Sequence, residues 1–299
     1  MQLVNFNYIK ALLLMCLAML SSPIVGAAVK IAGEAGIPNS MIVCIRSVFG
    51  FLAVCFCLPM LEKGTLRSVQ PFALFGRGLC VALAVAAYFY TLPRMPLANA
   101  TLIHHASPLF IPLFGVVMLS EKMRLHHFIW LFFGFAGAYL AARPEGWDVP
   151  VHVFVIGMFS TILAAYTNVW GKKLMVFDTP FTLMFYLAAT MSVVSLIWVS
   201  VSGDWQWLSW HVIGLLAFAG LYGNIAQILA MMAYRYVHSS YFGLLTYLSI
   251  PVSTIAGILI FDEIPGVMTL CGITLILFAI IASTIVENRQ EKNRYRPSN

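Results

Sequence analysis

Residues 104–122 read HHASPLFIPLFGVVMLSEK, and residues 247–263 read YLSIPVSTIAGILIFDE. Each is an apolar run entered through a proline and closed by an acid. Pro108 meets Pro251 at a shift of 143 positions, and Glu121 meets Glu263 at a shift of 142. The second shift also lays Lys30 on Lys172 and Pro38 on Pro180. One pattern is written twice: five apolar spans in residues 1–142, five more in 143–286, and a basic tail at 287–299. Five is odd, so the second set must enter a bilayer from the opposite face. Two bundles of opposite orientation about a shared midplane are the architecture of an alternating-access transporter.

Composition bounds the class. The chain is 61% hydrophobic and 9% charged, against roughly 25% charged for a soluble domain. With a mean hydropathy of +0.91, lipid is the solvent, and backbone polar groups must be satisfied within helices or a closed barrel. The apolar runs are about 20 residues long, the length of a spanning helix rather than of a barrel strand. The expected fold is all-α integral membrane, with ten transmembrane helices as two inverted five-helix repeats. The spans fall at 10–29, 38–60, 70–92, 97–119, 125–142, 151–171, 181–201, 210–232, 240–261 and 266–286. Leu92-Pro93-Arg94-Met95-Pro96 separates the third from the fourth, because that stretch cannot continue as one helix. The first span does not read as a cleaved signal peptide: no clear small-x-small site follows it, and nine further spans do. Cys16, Cys44, Cys55, Cys57, Cys80 and Cys271 all lie within apolar runs and read as small apolar fillers, not as a zinc site or disulfide framework.

The cations set the orientation. With both termini in the cytoplasm, thirteen of them fall at or near the inside: Lys10, Lys63, Arg67, Arg77, Lys122, Arg124, Lys172, Lys173, Arg235, Arg289, Lys292, Arg294 and Arg296. Three fall outside (Lys30, Arg94, Arg143), and Arg46 lies within span 2. This is a strong positive-inside partition. The basic tail therefore faces lipid headgroups, and nucleic acid is not an expected partner. The expected location is a bacterial inner membrane, multi-pass, with the lipid bilayer and a small-molecule substrate as partners and the protein a monomer or homodimer.

Several stretches are familiar as a set. Ala27-Ala28-Val29-Lys30 closes span 1, Pro38 leads to Arg46, and Arg77-Gly78 opens a span that ends Tyr88-Phe89-Tyr90-Thr91-Leu92. Met95-Pro96-Leu97-Ala98-Asn99-Ala100-Thr101 follows, then Ser107-Pro108-Leu109-Phe110 and Ser120-Glu121-Lys122, echoed by Ser249-Ile250-Pro251 and Phe261-Asp262-Glu263. Over residues 5–286 the chain resembles the EamA-type branch of the drug/metabolite transporter superfamily. The resemblance implies ten helices around a central cavity lined chiefly by helices 1, 3, 4, 6, 8 and 9. It also implies secondary transport of small metabolites without an ATPase. It leaves the substrate open among amino-acid-like compounds, S-adenosylmethionine, riboflavin, and drugs or amines. The halves are not equivalent, since the counterpart of Arg46 is Ala188.

The residues themselves lead to the same place. A proline within a helix removes a hydrogen bond and frees the carbonyl four positions earlier. Pro108 is expected to free the carbonyl of His104, and Pro251 that of Tyr247. Broken helices at matching places in two halves are a sequence pointer to a transporter's binding site. Thr101, His104 or His105, and Pro108 share one face, as do Ser240, Tyr247 and Pro251. Tyr88, Tyr166 and Tyr247 are placed where a ring stacks on a planar or cationic substrate. Asn224 and Gln227 are amides that face either the cavity or another helix, not lipid. Asn168 lies beside Tyr166, and Ser22 precedes Pro23, a further expected break. The expected substrate-binding set is His104, Tyr247, Tyr88, Asn224, Gln227, Tyr166, Asn168 and Ser22. Arg77 is expected to snorkel from its helix end, and Arg46 to pair in packing or to recognise a substrate carboxylate.

No catalytic residue, metal or cofactor is expected. The chain holds no His-Glu-x-x-His, Gly-x-Ser-x-Gly or Walker loop. The pairs His104-His105 and His126-His127 are adjacent, so each points its rings about 100° apart on a helix. A channel is disfavoured by the lack of a charged ring or carbonyl filter. All eleven acids lie at or beyond span ends. Coupling therefore either runs through His104 or His105, the midspan groups that titrate near neutral pH, or is absent, leaving a facilitator or exchanger.

Overall fold

The computed structural model describes residues 2–57, 68–91, 94, 103–122, 125–142, 150–261 and 266–294. The turn before span 4 (Arg94 apart), Thr101, Asp262, Glu263 and the side chain of Ser22 lie outside the described residues. Among the described residues the elements are helices: α1 (Gln2–Met19), α2 (Ser21–Glu34), α3 (Asn39–Cys57), α4 (Pro71–Thr91), α5 (Ser107–Leu119) and α6 (Leu125–Ala142). They continue as α7 (Val151–Leu174), α8 (Pro180–Ser202), α9 (Trp210–Tyr236), α10 (Ser239–Thr246), α11 (Ser249–Phe261) and α12 (Val267–Arg294).

Among the described residues, six helices are each long and apolar enough to cross a membrane alone: Asn39–Phe56, Pro71–Tyr88, Val151–Leu174, Pro180–Ser202, Trp210–Tyr236 and Val267–Val286. Tyr8–Met19, Ser107–Leu119 and Leu125–Ala141 are shorter apolar helices. Most of the shortness comes from breaks. Expected span 1 is divided into α1 and α2, and span 9 into α10 and α11. The outward surfaces fit a lipid solvent, with Phe72 90%, Val201 83% and Val117 79% exposed.

Packing follows the duplication. α4 lies on α7, and its counterpart α9 lies on α1 and α2. α3 packs on α9, and their counterparts α8 and α4 pack on each other; α5 packs on α7, as α11 does on α2. The pairs α3–α8 and α6–α12 join an element to its own counterpart, and α5 also packs on α10, the first part of the broken span that matches its own. The main contacts thus recur with the halves exchanged. Small residues set the closest crossings, as expected where lipid gives no hydrophobic drive between helices. A Cβ on Gly137 would lie 2.6 Å from the Gly272 carbonyl, and one on Gly272 would lie 2.5 Å from the Gly137 carbonyl. α6 and α12 therefore meet backbone to backbone.

Candidate functional site

The site begins with the helix breaks. Pro108 sits in the first turn of α5, entered through a turn at His105-Ala106 where the Ala106 amide bonds the Ile103 carbonyl at 3.1 Å. No described donor bonds the His104 carbonyl, as the proline rule requires. The break at Tyr247-Leu248 lies 142 positions later. There the Tyr247 carbonyl is not free: the Ile250 amide takes it at 3.1 Å. A tighter i→i+3 turn repairs at Tyr247 what Pro251 removes. Pro112, inside α5, frees in turn the carbonyl of Pro108. Gly243 of α10 lies against that oxygen, and a Cβ there would stand 2.9 Å from it.

Beside the first break, Tyr88 and His104 face each other, with ring centroids 4.7 Å apart. The His104 side chain is exposed beside that ring contact. α7 forms the adjoining wall. Ser160 Oγ donates to the Ala84 carbonyl at 2.8 Å, and Thr161 Oγ1 to the Ile103 carbonyl at 2.8 Å. These bonds spend the hydroxyls on pinning α4 and the broken segment to α7. About one and a half turns further along α7, roughly 8–9 Å at 1.5 Å per residue, Tyr166 packs edge-on to Phe114 at 5.5 Å and lies 5.5 Å from Trp170. Asn168 donates to its own helix at the Ala164 carbonyl, 3.0 Å away, which leaves its side-chain oxygen available.

Other expected members lie elsewhere. Tyr247 is fully buried, its ring seated on Gly134 of α6, where a Cβ would lie 2.8 Å away. In this conformation it offers no stacking face to a substrate, which corrects that expectation. Its hydroxyl has no hydrogen-bond partner among the described residues, a cost of about 1–3 kcal/mol. Tyr247→Phe is accordingly expected to hold or raise the melting temperature of the purified protein. Tyr247→Ala should lose about 3–5 kcal/mol by opening a cavity. Thermal unfolding of the two variants side by side checks this. Asn224 lies against Gly50 of α3, where α9 and α3 also meet through Gly220 and the Arg46 backbone. Gln227, partly buried, makes no hydrogen bond among the described residues.

Arg77 does not snorkel. It is 3% exposed and donates from Nε to the Thr167 carbonyl at 2.9 Å. Gly171 makes this possible, since a Cβ there would lie 2.9–3.1 Å from the guanidinium.

A polar clasp closes one end of the bundle. Lys172 Nζ bonds Glu121 Oε1 at 2.8 Å and the Val237 carbonyl, and sits 4.7 Å from the Tyr234 ring centre. Glu121 Oε2 accepts from the Ser239 amide at 2.9 Å, and Tyr234 and Ser239 share a hydroxyl bond of 2.7 Å. The clasp draws together the ends of α5, α7 and α9 and the start of α10. Burial raises the carboxyl pKa of Glu121, but the Lys172 charge and the bonds from Lys172 and Ser239 outweigh it and hold the group below its ordinary value. Glu121 and Lys172 were each visible as repeated landmarks; their meeting was not.

A cavity of about 320 Å³ between α3, α4 and α8, lined by Val43, Ala82, Met191 and Trp198 among others, is almost wholly apolar and holds none of these candidate residues. No cluster of metal-ligating side chains occurs among the described residues.

Comparison with known proteins gives this geometry a context. The EamA-like transporter family matches residues 9–143 and again 153–285. The pseudopaline exporter CntI of Pseudomonas aeruginosa (strain UCBPP-PA14) is 28% identical over 90% of this chain and 94% of its own. An S-adenosylmethionine uptake transporter of Rickettsia bellii (strain RML369-C) is 26% identical over 73% of this chain and 74% of its own. A riboflavin transporter of Rhizobium johnstonii is 25% identical over 82% and 81%. A solved crystal structure shares the fold with a TM-score of 0.74 at 18% identity, covering 97% of this chain and 99% of that one.

Proposed function

The chain belongs to the EamA-like transporter family, and we propose that it carries its small-molecule substrate by alternating access between two inverted five-helix repeats, 1–142 and 143–286. The observation that carries this reading is the pair of helix breaks 142 positions apart, at 105–106 and 247–248. Two hinges related by the repeat give one bundle two equivalent ways to open. Ten spans result when α1 with α2, and α10 with α11, each count as one broken crossing.

The substrate sits against Tyr88 and His104, with Tyr166 and Asn168 on α7. Gln227 lines the opposing half, Asn224 seats α9 on Gly50 of α3, and Tyr247 acts through the packing of its break on α6. The cargo is an amino-acid-like or S-adenosylmethionine-like molecule, in keeping with relatives named for pseudopaline and S-adenosylmethionine. The second reading, riboflavin or an amine-type drug, rests on the riboflavin transporter among the relatives. A competition screen of labelled S-adenosylmethionine, riboflavin and aromatic amino acids in cells expressing the chain separates the two. Saturable uptake or efflux of none of them would count against the substrate assignment.

Both termini lie in the cytoplasm of a bacterial cell, with the basic 287–299 tail on anionic headgroups. The charge partition of thirteen against three supports this. A C-terminal alkaline phosphatase fusion is therefore expected to be inactive and a green fluorescent fusion bright. The reverse pair would sink the orientation. No midplane carboxylate carries a coupling proton, so coupling passes through His104 or His105, or the substrate gradient alone drives exchange.

A further inference from the structure

We propose that Arg77 binds an anionic oxygen group of the transported molecule, so that the cargo is a carboxylate-bearing metabolite. The inference rests on the transporter reading and narrows it. Arg77 is buried between α4 and α7, and its single hydrogen bond, from Nε to Thr167, leaves four N–H donors on two terminal nitrogens. Those nitrogens have no protein partner among the described residues. The guanidinium thus keeps four unpaired donors in the protein interior. Its acceptor, Thr167, is the chain neighbour of Tyr166 and Asn168 of the candidate site.

The charge is not neutralised from within. The described carboxylates are committed elsewhere: Glu121 to Lys172 and Ser239, Asp178 to Ser68, and Asp204 to Ser40. Arg46, the other guanidinium inside a span, likewise has no hydrogen bond or ion pair among the described residues. The interior thus holds two cations and no described counter-charge. In a low-dielectric interior that arrangement favours an entering anion and disfavours a cation of the same size. A planar fork with free parallel donors matches a carboxylate two bonds at a time. Gly171 backs the guanidinium on the α7 side, where a Cβ would touch it, and so fixes the plane of the fork.

The test uses the full-length protein in detergent, read by thermal shift and by tryptophan fluorescence, since Trp170 contacts both Tyr166 and the Gly76 position of α4. The probes are acids matched with the amines left by removing only the carboxylate: methionine, tyrosine and S-adenosylmethionine with their decarboxylated forms. Riboflavin is the uncharged control. At least one acid is expected to bind, with its amine about tenfold weaker or worse. Arg77→Gln should abolish that difference, and Arg77→Lys should keep part of it. The inference is overturned if no acid binds, if an amine or riboflavin binds as well as the best acid, or if Arg77→Gln keeps the discrimination. Should that variant not fold, the wild-type comparison still decides. Saturable, trans-accelerated transport of an amine or of riboflavin would sink this inference while leaving the transporter reading intact.

Discussion

Replacing His104 by alanine is expected to lower transport by about tenfold or more, the equivalent of one lost contact of about 1.4 kcal/mol at the site, with near-normal amounts of protein in the membrane. The side chain is exposed and packs on the Tyr88 and His105 rings at centroid distances of 4.7 and 6.3 Å. Its removal therefore opens little core. Tyr88→Ala should share the loss, because it removes the facing ring, while Tyr88→Phe should keep most of the activity if stacking is the shared contribution. Transport measured per folded molecule, with the protein quantified by fluorescence-detected size exclusion, checks the result. Wild-type rates in both alanine variants would return the pair to packing.

The second large effect is expected at the clasp. Glu121→Ala leaves Lys172 charged, 18% exposed and without its carboxylate, at a cost on the order of 3 kcal/mol. The Ser239 amide loses its acceptor at the same time. Glu121→Gln should recover part of the loss, because an amide oxygen still accepts from Ser239. The pH dependence follows from the sign of the shift. The folded-state pKa of Glu121 lies below its ordinary value, so its contribution is complete above the ordinary carboxylate range. It is lost as pH falls through the depressed value. Melting temperature against pH should therefore fall on the acid side in the wild type and more gently in Glu121→Gln. A variant curve that keeps the full acid-side fall would assign that fall to other carboxylates.

The parts of the fold that follow from local rules were legible in the sequence. Pro108 and Pro251 place the two breaks within a few residues, because a proline acts on its own turn whatever surrounds it. The duplicated lysine, proline and acid landmarks align the halves that the recurring helix contacts then pair. What the sequence did not reveal depends on partners far along the chain. Burial of Tyr247 is decided by Gly134 on α6, and that of Arg77 by Gly171 on α7. Nothing near either residue announces the glycine that admits it. Asn224 illustrates the same limit, since an amide on a helix face reads alike whether it meets a cavity or, as here, Gly50 of α3. The freed carbonyl was half right: the His104 oxygen has no described donor, whereas Ile250 takes that of Tyr247. The difference lies in how tightly each turn winds after the break.

Counterflow in proteoliposomes tests alternating access most directly. The protein is reconstituted, vesicles are loaded with an unlabelled substrate identified in the competition screen, and uptake of the labelled form is followed. A carrier that exposes one site to each side in turn must return faster when loaded, so internal substrate is predicted to accelerate uptake and to produce a transient overshoot of label. Uptake that does not saturate and is indifferent to internal substrate would be the behaviour of an open pore and would contradict the account.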